Sequence, residues 1–464
     1  MKITVLNGSP KGIKSVTMQY VLYIQKMFTQ HELDIVNIAQ QIKKIEHDEQ
    51  AFQETIEKIQ ASDGVLWAFP LYILHVHGNY KRFIEMIWER GVEDAFENKY
   101  AAALSTSIHF FDHTAHNYIH AICDDLKMRF VNSFSAEMQD LLKDEGRAKL
   151  IAFADGFFEA IQANAPTPRA YAPVTRREFD YTPTPEESPI ASNGKKVVVV
   201  TDAEPHQTNL IHMIERFKAA LAGKVEVINL HDIDIKGGCL GCLRCGYDYQ
   251  CAYVDKDGFI DFYNKKLKTS DIIIFAGAIK DRYLSSLWKT FFDRSFFNTH
   301  TPSLTGKQFG FIISGPLSQI PNLREILEGW TQFQHSNLVG FVTDEATSNV
   351  GDNSAATDGL LHDLARRLVR CANGGYIQPQ TFLGVGGIKV FRDDVWGELR
   401  IPFQADHRAY KRLGIYDFPH KDIRVRLLNT LVAPLFRIPK VREEFTKNIK
   451  EGMIQPYQSI LQAQ

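Results

Sequence analysis

The sequence predicts an α/β protein that contains two tandem, doubly wound parallel-sheet domains followed by a C-terminal extension. Short, almost continuous apolar stretches alternate with amphipathic helical patterns, which is typical of parallel strands covered by helices on both faces. The same order of elements occurs twice, on either side of a proline-rich segment. A chain of 464 residues is also too long for one hydrophobic core, so two or three domains are expected.

Each copy is expected to contain four strands with helices between them. In the first copy the strands are Lys2–Leu6, Leu33–Asn37, Gly64–Phe69 and Tyr100–Ser105. Three helices lie between them: one begins near Val16, and the others cover Glu49–Ser62 and Lys81–Glu89. In the second copy the strands are Lys196–Thr201, Lys224–Leu230, Asp271–Ala276 and Gln308–Ser314. Residues 165–195 contain six prolines and no apolar periodicity, so they are expected to form a linker. We therefore place the domains at 1–164 and 196–375, and the extension at 376–464.

Two segments of the copies align without a gap. Residues 67–85 and 275–293 share an apolar strand followed by a helix. The alignment pairs Lys81 with Lys289, Phe83 with Phe291 and Glu85 with Asp293. The unbroken register favours a tandem duplication, and a duplicated domain is expected to form a pseudo-dimer.

Composition and charge exclude several classes of protein. The chain has 53 Lys and Arg against 55 Asp and Glu, a net charge of −2. That balance creates no field that would attract nucleic acid. The N-terminal sequence lacks the features of a signal peptide, and no apolar run is long enough to span a membrane. We expect a cytoplasmic protein without a transmembrane segment.

The turn after the first strand has the composition of an anion site. Residues 7–19 read N-G-S-P-K-G-I-K-S-V-T-M-Q and lead into the first helix. A helix N-terminus presents free N–H groups and the positive end of its dipole to an anion. Gly8 allows close approach of a ligand, Ser9, Ser15 and Thr17 offer hydroxyls, and Lys11 and Lys14 add positive charge. Neither the nucleoside-triphosphatase nor the dinucleotide glycine pattern is present, and a capped helix start with incidental lysines is the alternative.

Two further loops are expected beside this turn, because ligands of doubly wound sheets bind at the carboxyl ends of the strands. Pro70-Leu71-Tyr72 follows the third strand, and Tyr72 has a ring that can stack on a planar ligand. Residues 105–114 follow the fourth strand and contain His109 and His113. These two histidines, like His75 and His77, are candidate proton donors, and surface or packing histidines are the alternative.

Four of the six cysteines lie close together. Cys239, Cys242, Cys245 and Cys251 form a C-x2-C-x2-C-x5-C pattern with glycines at 237, 238, 241 and 246. Such clustering in a cytosolic chain indicates a metal or cluster site. The pattern favours a 4Fe–4S cluster, because structural zinc usually takes two separated cysteine pairs; zinc and thiol redox chemistry remain alternatives. The isolated Cys123 and Cys371 are expected to be buried apolar residues on helices.

The pattern N-G-S-P-x-x-x-x-S-x-T followed by P-x-Y resembles the flavodoxin-like superfamily of NAD(P)H-dependent FMN reductases and quinone reductases. The resemblance covers most of residues 1–160 and implies FMN, with its phosphate on residues 8–17 and its ring between loops 70–73 and 105–113. The implied cofactor-binding residues are Gly8, Ser9, Pro10, Lys11, Ser15, Val16, Thr17, Pro70, Leu71, Tyr72, Ile73, Ser105, Thr106 and Ser107. The candidate catalytic residues are Tyr72, His109 and His113.

The second domain is similar to the iron–sulfur flavoprotein family, in which a compact cysteine motif follows the second strand. The resemblance implies that Cys239, Cys242, Cys245 and Cys251 hold a 4Fe–4S cluster near an FMN of the partner subunit. Two departures are present. Asp202 and Glu204 are expected to face, and repel, a phosphate, and Ala278-Ile279-Lys280 replaces P-x-Y. We therefore expect FMN in the first domain and the cluster in the second.

The predicted function is an oxidoreductase that passes electrons between this flavin and this cluster. The expected partners are NAD(P)H or a small electron carrier, a small-molecule acceptor and a second copy in a homo-oligomer. Two alternatives remain. One is an NAD(P)H-dependent FMN or quinone reductase without a cluster, and the other is a non-catalytic scaffold or sensor that binds zinc.

The C-terminal extension departs from a minimal domain of this kind. Residues 382–393 contain Gly386-Gly387 and are expected to form a strand pair or hairpin. The stretch Ile423 to Lys447 is basic and amphipathic, and Pro434 and Pro439 interrupt it. Packing on the two domains is favoured over contact with a membrane surface for this stretch.

Overall fold

The computed structural model describes residues 1–176, 179–345 and 353–462. The first domain is a five-stranded parallel sheet in the order β2-β1-β3-β4-β5, with helices on both faces. Its elements are β1 Lys2–Asn7, α1 Val16–Met27, β2 Glu32–Val36, α2 Ile38–His47, α3 Glu49–Gln60, β3 Gly64–Pro70, α4 Gly78–Glu89, β4 Tyr100–Ser107, α5 Asp112–Asp125, β5 Arg129–Glu137 and α6 Asp144–Gln162. The doubly wound sheet that the apolar strands predict is confirmed.

The second domain repeats this topology. Its sheet has the order β12-β11-β10-β7-β9. If β7, β9, β10, β11 and β12 are counted as strands 1 to 5, the order read from the β9 edge is 2-1-3-4-5, as in the first domain. The elements are β6 Ile190–Ala191, β7 Val197–Thr201, α7 Thr208–Ala219, β8 Leu221–Ala222, β9 Val225–Asn229, α8 Phe259–Phe262, β10 Ile272–Ala278, α9 Ser286–Ser295, β11 Gln308–Ser314, α10 Pro321–Phe333, β12 Asn337–Thr343 and α11 Asn353–Gly374. The short strands β6 and β8 pair with each other outside the main sheet.

The sequence patterns miss one strand in each domain. Both β5 and β12 lie at an edge of their sheets, and their side chains alternate irregularly between buried and half-buried positions. An edge strand covers less apolar surface than a central one, so its sequence lacks the continuous apolar run that marks β1, β3 and β4.

The two domains meet across a pseudo-twofold interface between α4 and α9. The backbone N–H of Gly78 donates to Asp293 Oδ2 at 2.7 Å, and the equivalent N–H of Ser286 donates to Glu85 Oε1 at 2.6 Å. The equivalent residues His75 and Tyr283 stack with ring centroids 4.3 Å apart. An isologous dimer interface has this reciprocal form, in which each residue makes the contact that its counterpart makes in return.

The proline-rich segment is docked on the domains. The backbone N–H groups of Ala170 and Tyr171 donate to Asp124 Oδ2 at 2.9 and 2.8 Å. Tyr181 is 1% exposed, and its hydroxyl donates to Asp358. These contacts fix the segment, whose described residues form no helix and only the two-residue strand β6.

The extension is helical. Its helices are α12 Phe382–Trp396, α13 Gln404–Arg412, α14 Ile423–Val432 and α15 Pro439–Gln462. The hairpin expected at 382–393 is therefore wrong. The reason lies in packing: a Cβ on Gly387 would overlap the ring of Phe110, and one on Gly384 would approach Gln332 Cβ to 2.9 Å. These glycines allow close approach of a helix and do not make a turn.

The chain divides into two compact units, Met1–Ala409 and Tyr410–Gln464. The first unit holds both sheets, whereas the second is helical. Most side chains between 423 and 461 are exposed. Among the described residues, no helix combines the length and apolar character needed to cross a membrane.

Candidate functional site

The glycine-containing turn of the first domain lies at the carboxyl end of β1, as expected. Ser15 is the N-cap of α1, and its Oγ accepts from the N–H of Met18 at 3.2 Å. The first turn of a helix has no intrahelical acceptors for its N–H groups, so those of Val16 and Thr17 are available to an anion. The hydroxyl of Thr17 lies 2.6 Å from that of Thr106 at the end of β4. This bond joins the turn to the neighbouring loop.

Both loops beside this turn hold non-glycine residues in left-handed conformations. In the first loop, Ile73 and Leu74 have φ of 34° and 60°, and they form a tight turn closed by the backbone bonds between Tyr72 and His75. In the second, His109 and Phe111 have φ of 58° and 61°. Such conformations cost free energy and occur often where a ligand binds. The first domain therefore has two loops of this kind beside the turn, at one end of its sheet.

The cysteine loop of the second domain packs directly on the first of these loops. Gly241 lies so close to Tyr72 that a Cβ there would overlap the phenol hydroxyl, and it would lie 2.9 Å from Lys11 Cε. His77 Nε2 is 2.8 Å from the carbonyl oxygen of Cys239. The ring of Tyr72 meets that of His77 edge-on, with centroids 4.7 Å apart. The predicted flavin loop and the predicted cluster loop are therefore in contact.

All four clustered cysteines line one cavity. Cys245 is buried, Cys239 and Cys251 are half-buried, and Cys242 is exposed. Arg294 lies at the same cavity, where its Nη1 donates to the carbonyl of Gly237 at 2.9 Å. In the described part of the chain, no three His, Cys, Asp or Glu side chains are arranged to hold a single metal ion.

The raised pKa values of two of these cysteines do not favour reactive thiols at their positions. Burial raises the pKa of both Cys239 and Cys245 to about 12, and the neighbouring thiols add to the increase. A nucleophilic cysteine needs a lowered pKa, because the thiolate is the reactive form. A cluster or metal would supply the positive charge that stabilises these groups as thiolates.

The side chain of Asp202, which the sequence analysis expects to face and repel a phosphate, points into the protein. Asp202 is buried; it accepts from Trp288 Nε1 at 2.9 Å and from the hydroxyl of Ser285. Burial raises its pKa to about 6 despite these two bonds. The expectation that Asp202 faces a phosphate is therefore wrong, because its charge is met by donors from the start of α9.

The candidate histidines have different environments. His109 Nδ1 lies 3.0 Å from Asp112 Oδ2, and His113 Nε2 lies 2.9 Å from Glu325 Oε1; both rings are about half exposed. His75 is fully buried between Tyr118 and Tyr283, and burial holds its pKa well below the usual range. The environment of His75 is therefore that of a packing histidine and not that of a proton donor.

Comparison with known proteins finds a family match for the first domain. Residues 1–139 match the family of NADPH-dependent FMN reductases. The match supports a flavin-dependent oxidoreductase. No curated protein matches the chain.

Solved structures similar to this chain include three flavin proteins. An NADH:FMN oxidoreductase in its apo form is 18% identical, with 34% of this chain and 89% of that chain covered and a TM-score of 0.30. FerB, an NAD(P)H:(acceptor) oxidoreductase from Paracoccus denitrificans, is 15% identical, with 34% of this chain and 97% of that chain covered and a TM-score of 0.28. General stress protein 14 from Treponema denticola, in complex with FMN, is 12% identical, with 35% of this chain and 98% of that chain covered and a TM-score of 0.26.

The remaining predicted residues of the FMN-reductase-like domain lie where the strands end. Ser105, Thr106 and Ser107 close β4, and Pro70 closes β3. Ser107 Oγ accepts from the N–H of His109 at 2.9 Å. Gly8 packs against Phe69 and Tyr80, Ser9 Oγ accepts from the N–H of Lys11 at 3.2 Å, and Pro10, Leu71 and Tyr72 are half-buried. These residues surround the carboxyl end of the sheet.

A buried ionic network near this site escapes sequence analysis. Lys81 Nζ lies 2.9 Å from both Glu85 Oε1 and Asp281 Oδ2, the latter from the second domain. The equivalent Lys289 donates to Asp293 and, at 2.9 Å, to the carbonyl of Tyr72. The alignment of the two helices pairs these lysines with each other, but it gives no sign that each reaches the opposite domain.

The pKa values of the two lysines shift in opposite directions. Burial works against the charge of Lys81, but Asp281 and Glu85 overcome it and raise its pKa. Burial lowers the pKa of Lys289, which has the single carboxylate of Asp293. The pseudo-symmetry of the backbone is therefore not matched by the electrostatics on its two sides.

Proposed function

We propose that the chain is an oxidoreductase in which FMN in the first domain exchanges electrons with a 4Fe–4S cluster in the second. The contact that carries this proposal is the one between the two loops. Gly241, between two of the clustered cysteines, touches the hydroxyl of Tyr72, and the carbonyl of Cys239 is bonded to His77. This contact supports the proposal, because cofactors bound at these two loops would lie side by side.

FMN suits the first domain on three grounds. Residues 1–139 match a family of FMN reductases, the N-terminus of α1 offers free N–H groups to a phosphate, and the two loops beside it contain left-handed residues. The residues that would hold the phosphate are Gly8, Ser9, Pro10, Lys11, Ser15, Val16 and Thr17. Those that would surround the ring are Pro70, Leu71, Tyr72, Ile73, Ser105, Thr106 and Ser107.

A cluster suits the cysteine loop better than a single ion does. A zinc ion needs every sulfur about 2.3 Å from one point, whereas a cubane takes one thiolate at each corner iron and keeps the sulfurs farther apart. The four cysteines share a cavity, as the ligands of one cluster must. The spacing along the chain and the cavity together favour the cubane.

The chemistry that these groups supply when bound is two-electron exchange at the flavin and one-electron exchange at the cluster. The protein's part is positioning and proton handling. Tyr72, which contacts Gly241 of the cysteine loop, would lie between the two cofactors. The Nδ1 atom of His109 lies beside Asp112, so its other ring nitrogen, Nε2, is the one that would exchange a proton with solvent or substrate. His113 is the second candidate for this role.

The second domain has the same topology but a different site. Its counterpart of the P-x-Y loop is Ala278-Ile279-Lys280, and Asp202 is bonded to Trp288 beside β10. We infer that a duplicated ancestor lost its second flavin, which leaves one flavin and one cluster in a pseudo-dimer. NAD(P)H or a small electron carrier and a small-molecule acceptor would be its partners, and a cytoplasmic location and further homo-oligomers are part of the same proposal.

A second candidate is an NAD(P)H-dependent FMN or quinone reductase that needs no cluster. The observation in its favour is the family match itself, which covers only the first domain. A zinc-binding scaffold or sensor has less support, because residues 1–139 match a family of enzymes.

The deciding experiment is anaerobic purification followed by assays of FMN, iron and sulfide per chain. We expect one FMN with about four irons and four sulfides. The variant Cys242→Ser should lose iron but keep FMN, because Cys242 is exposed and its replacement leaves the core intact. Cys371→Ser is the matched control on a helix of the same domain and should keep both. FMN without iron would support the plain reductase, and a colourless protein would overturn both enzyme readings.

A further inference from the structure

The helices of the C-terminal unit expose a continuous apolar face. In α14, Ile423, Leu427 and Leu431 follow one another at four-residue spacing and are 65%, 59% and 72% exposed. Leu428 and Val432 extend the same face around the helix. Residues four apart lie on one side of a helix, so these side chains form a single surface. A folded protein rarely leaves such a surface in contact with water.

The same pattern continues in α15. Phe445, Ile449, Met453 and Tyr457 recur at four-residue spacing, and all of them are exposed. A short connecting turn joins the two helices, and Phe436 from that turn packs edge-on against Phe445, with ring centroids 5.0 Å apart. The connection holds two apolar faces in one small unit.

The charged side chains between 423 and 442 are all positive, whereas Glu443, Glu444 and Glu451 follow in the rest of α15. Residues 423–442 include five cations and no carboxylate. The cations are Arg424, Arg426, Arg437, Lys440 and Arg442. The rest of the chain balances them, since the whole protein has a net charge of −2. This concentration of positive charge lies within the same helices as the exposed apolar side chains.

We propose that residues 423–457 bind the surface of an anionic lipid bilayer. Helices that combine an apolar face with cations lie in the headgroup region, where the apolar side chains enter the acyl boundary and the cations meet acidic lipids. Pro434 and Pro439 divide the segment into two helices, which favours lying along the surface. A second copy of the chain is a poorer occupant, because an isologous contact would bring the five cations of each copy together.

Vesicle flotation of the full-length protein tests this proposal. Vesicles of phosphatidylcholine alone are compared with vesicles that contain an equal share of phosphatidylglycerol. We expect the protein to float with the anionic vesicles and to bind the neutral ones at least roughly tenfold more weakly, because each cation near the surface contributes to the attraction. Raising the salt concentration should release the bound protein.

Two variants separate the apolar and the charged contributions. Leu427→Glu combined with Leu431→Glu should abolish flotation, and Arg424→Gln combined with Arg426→Gln should weaken it roughly tenfold or more. The control is Leu142→Glu, at a side chain in the first domain that is 77% exposed and should not affect flotation. Circular dichroism and flavin content confirm that each variant is folded.

Three outcomes would overturn the proposal: no flotation of the wild type, equal binding to neutral and anionic vesicles, or an effect of Leu142→Glu as large as that of the α14 variants. A fourth would assign the face to a second copy instead. In that case the wild type would have a mass above 52.9 kDa without lipid and would become monomeric in the Leu427 and Leu431 variant.

Discussion

The Nε2 atom of His77 lies 2.8 Å from the carbonyl oxygen of Cys239, so the cap of the helix that follows loop 70–73 is bonded to the cysteine loop of the second domain. Nδ1 of the same ring accepts from the N–H of Asn79 at 3.1 Å and caps α4. One nitrogen therefore stabilises a helix, and the other joins two domains. Because Nδ1 accepts, Nε2 must carry the proton that it donates to Cys239.

The variant His77→Asn separates these two functions. Asparagine is a good N-cap, so α4 should keep its cap, but the shorter side chain does not reach the carbonyl of Cys239. We expect a loss of about 1–3 kcal/mol in the free energy of unfolding, because a partly buried carbonyl loses its donor. Urea denaturation measures this loss. The exposed His206→Asn is the control, and an unchanged midpoint for His77→Asn would show that the contact contributes nothing.

The buried pair of Lys81 and Asp281 should be far more costly to break than a surface pair. Lys81→Met leaves the carboxylates of Asp281 and Glu85 without their shared cation, and breaking a buried pair in this way costs about 3–5 kcal/mol. The control is Lys265→Met. Lys265 also pairs with an acid four residues away, Asp261, but both side chains are about 70% exposed. An exposed pair contributes about 0–1 kcal/mol, so equal losses in the two variants would refute the argument.

The sequence was sufficient for the parts of the fold that depend on local pattern. Central strands such as Gln308–Ser314 have continuous apolar runs, and the observed bounds match the predicted ones. The last strand of each domain, β5 and β12, and the helix at 382–396 were missed, because these strands have a weak apolar pattern and a glycine pair indicates a turn unless its packing partner is known. Phe110, the partner of Gly387, is far away in the sequence.

The candidate site was predictable in its pieces and not in their assembly. The cysteine spacing and the glycine turn are local motifs, and each was recognisable by itself. The bond between His77 and Cys239 joins residues 162 positions apart, and the pairing of Lys81 with Asp281 spans 200. Contacts at such separations depend on how the two domains pack, and no local pattern encodes that arrangement.

Asp202 should make the stability of the protein depend on pH. Its pKa in the folded protein is raised from 3.8 to about 6, so the folded state holds the proton more tightly than the unfolded chain does. The stabilisation is complete below pH 3.8 and is lost as the pH rises through about 6. A shift of about two pH units corresponds to roughly 3 kcal/mol.

The variant Asp202→Asn removes this dependence. Relative to the wild type, its free energy of unfolding should therefore rise by roughly 2–3 kcal/mol between about pH 4 and pH 7. Denaturant titrations at several pH values measure the difference. Asp144→Asn, at a side chain that is 98% exposed, should follow the wild-type profile, and a parallel profile for Asp202→Asn would contradict the prediction.

Gly241 and Tyr72 offer the most direct test of the contact between the two loops. Gly241 has φ of +60° and lies against the hydroxyl of Tyr72. Gly241→Ala therefore has two costs: the strain of a left-handed alanine, about 1 kcal/mol, and the displacement of Tyr72. Gly91 also has φ of +60° but has open space around it, so Gly91→Ala measures the strain alone.

We expect Gly241→Ala to lower the free energy of unfolding by about 1–3 kcal/mol more than Gly91→Ala does, because overpacking adds to the strain. Replacing Tyr72 by Phe removes the atom that the new methyl group would overlap. In the Tyr72→Phe background, the loss from Gly241→Ala should therefore fall towards that of Gly91→Ala, and a double-mutant cycle measures this coupling. If the two backgrounds give the same loss, the loops are not in contact in solution. The short path between the proposed flavin and cluster would then be lost as well, because it depends on that contact.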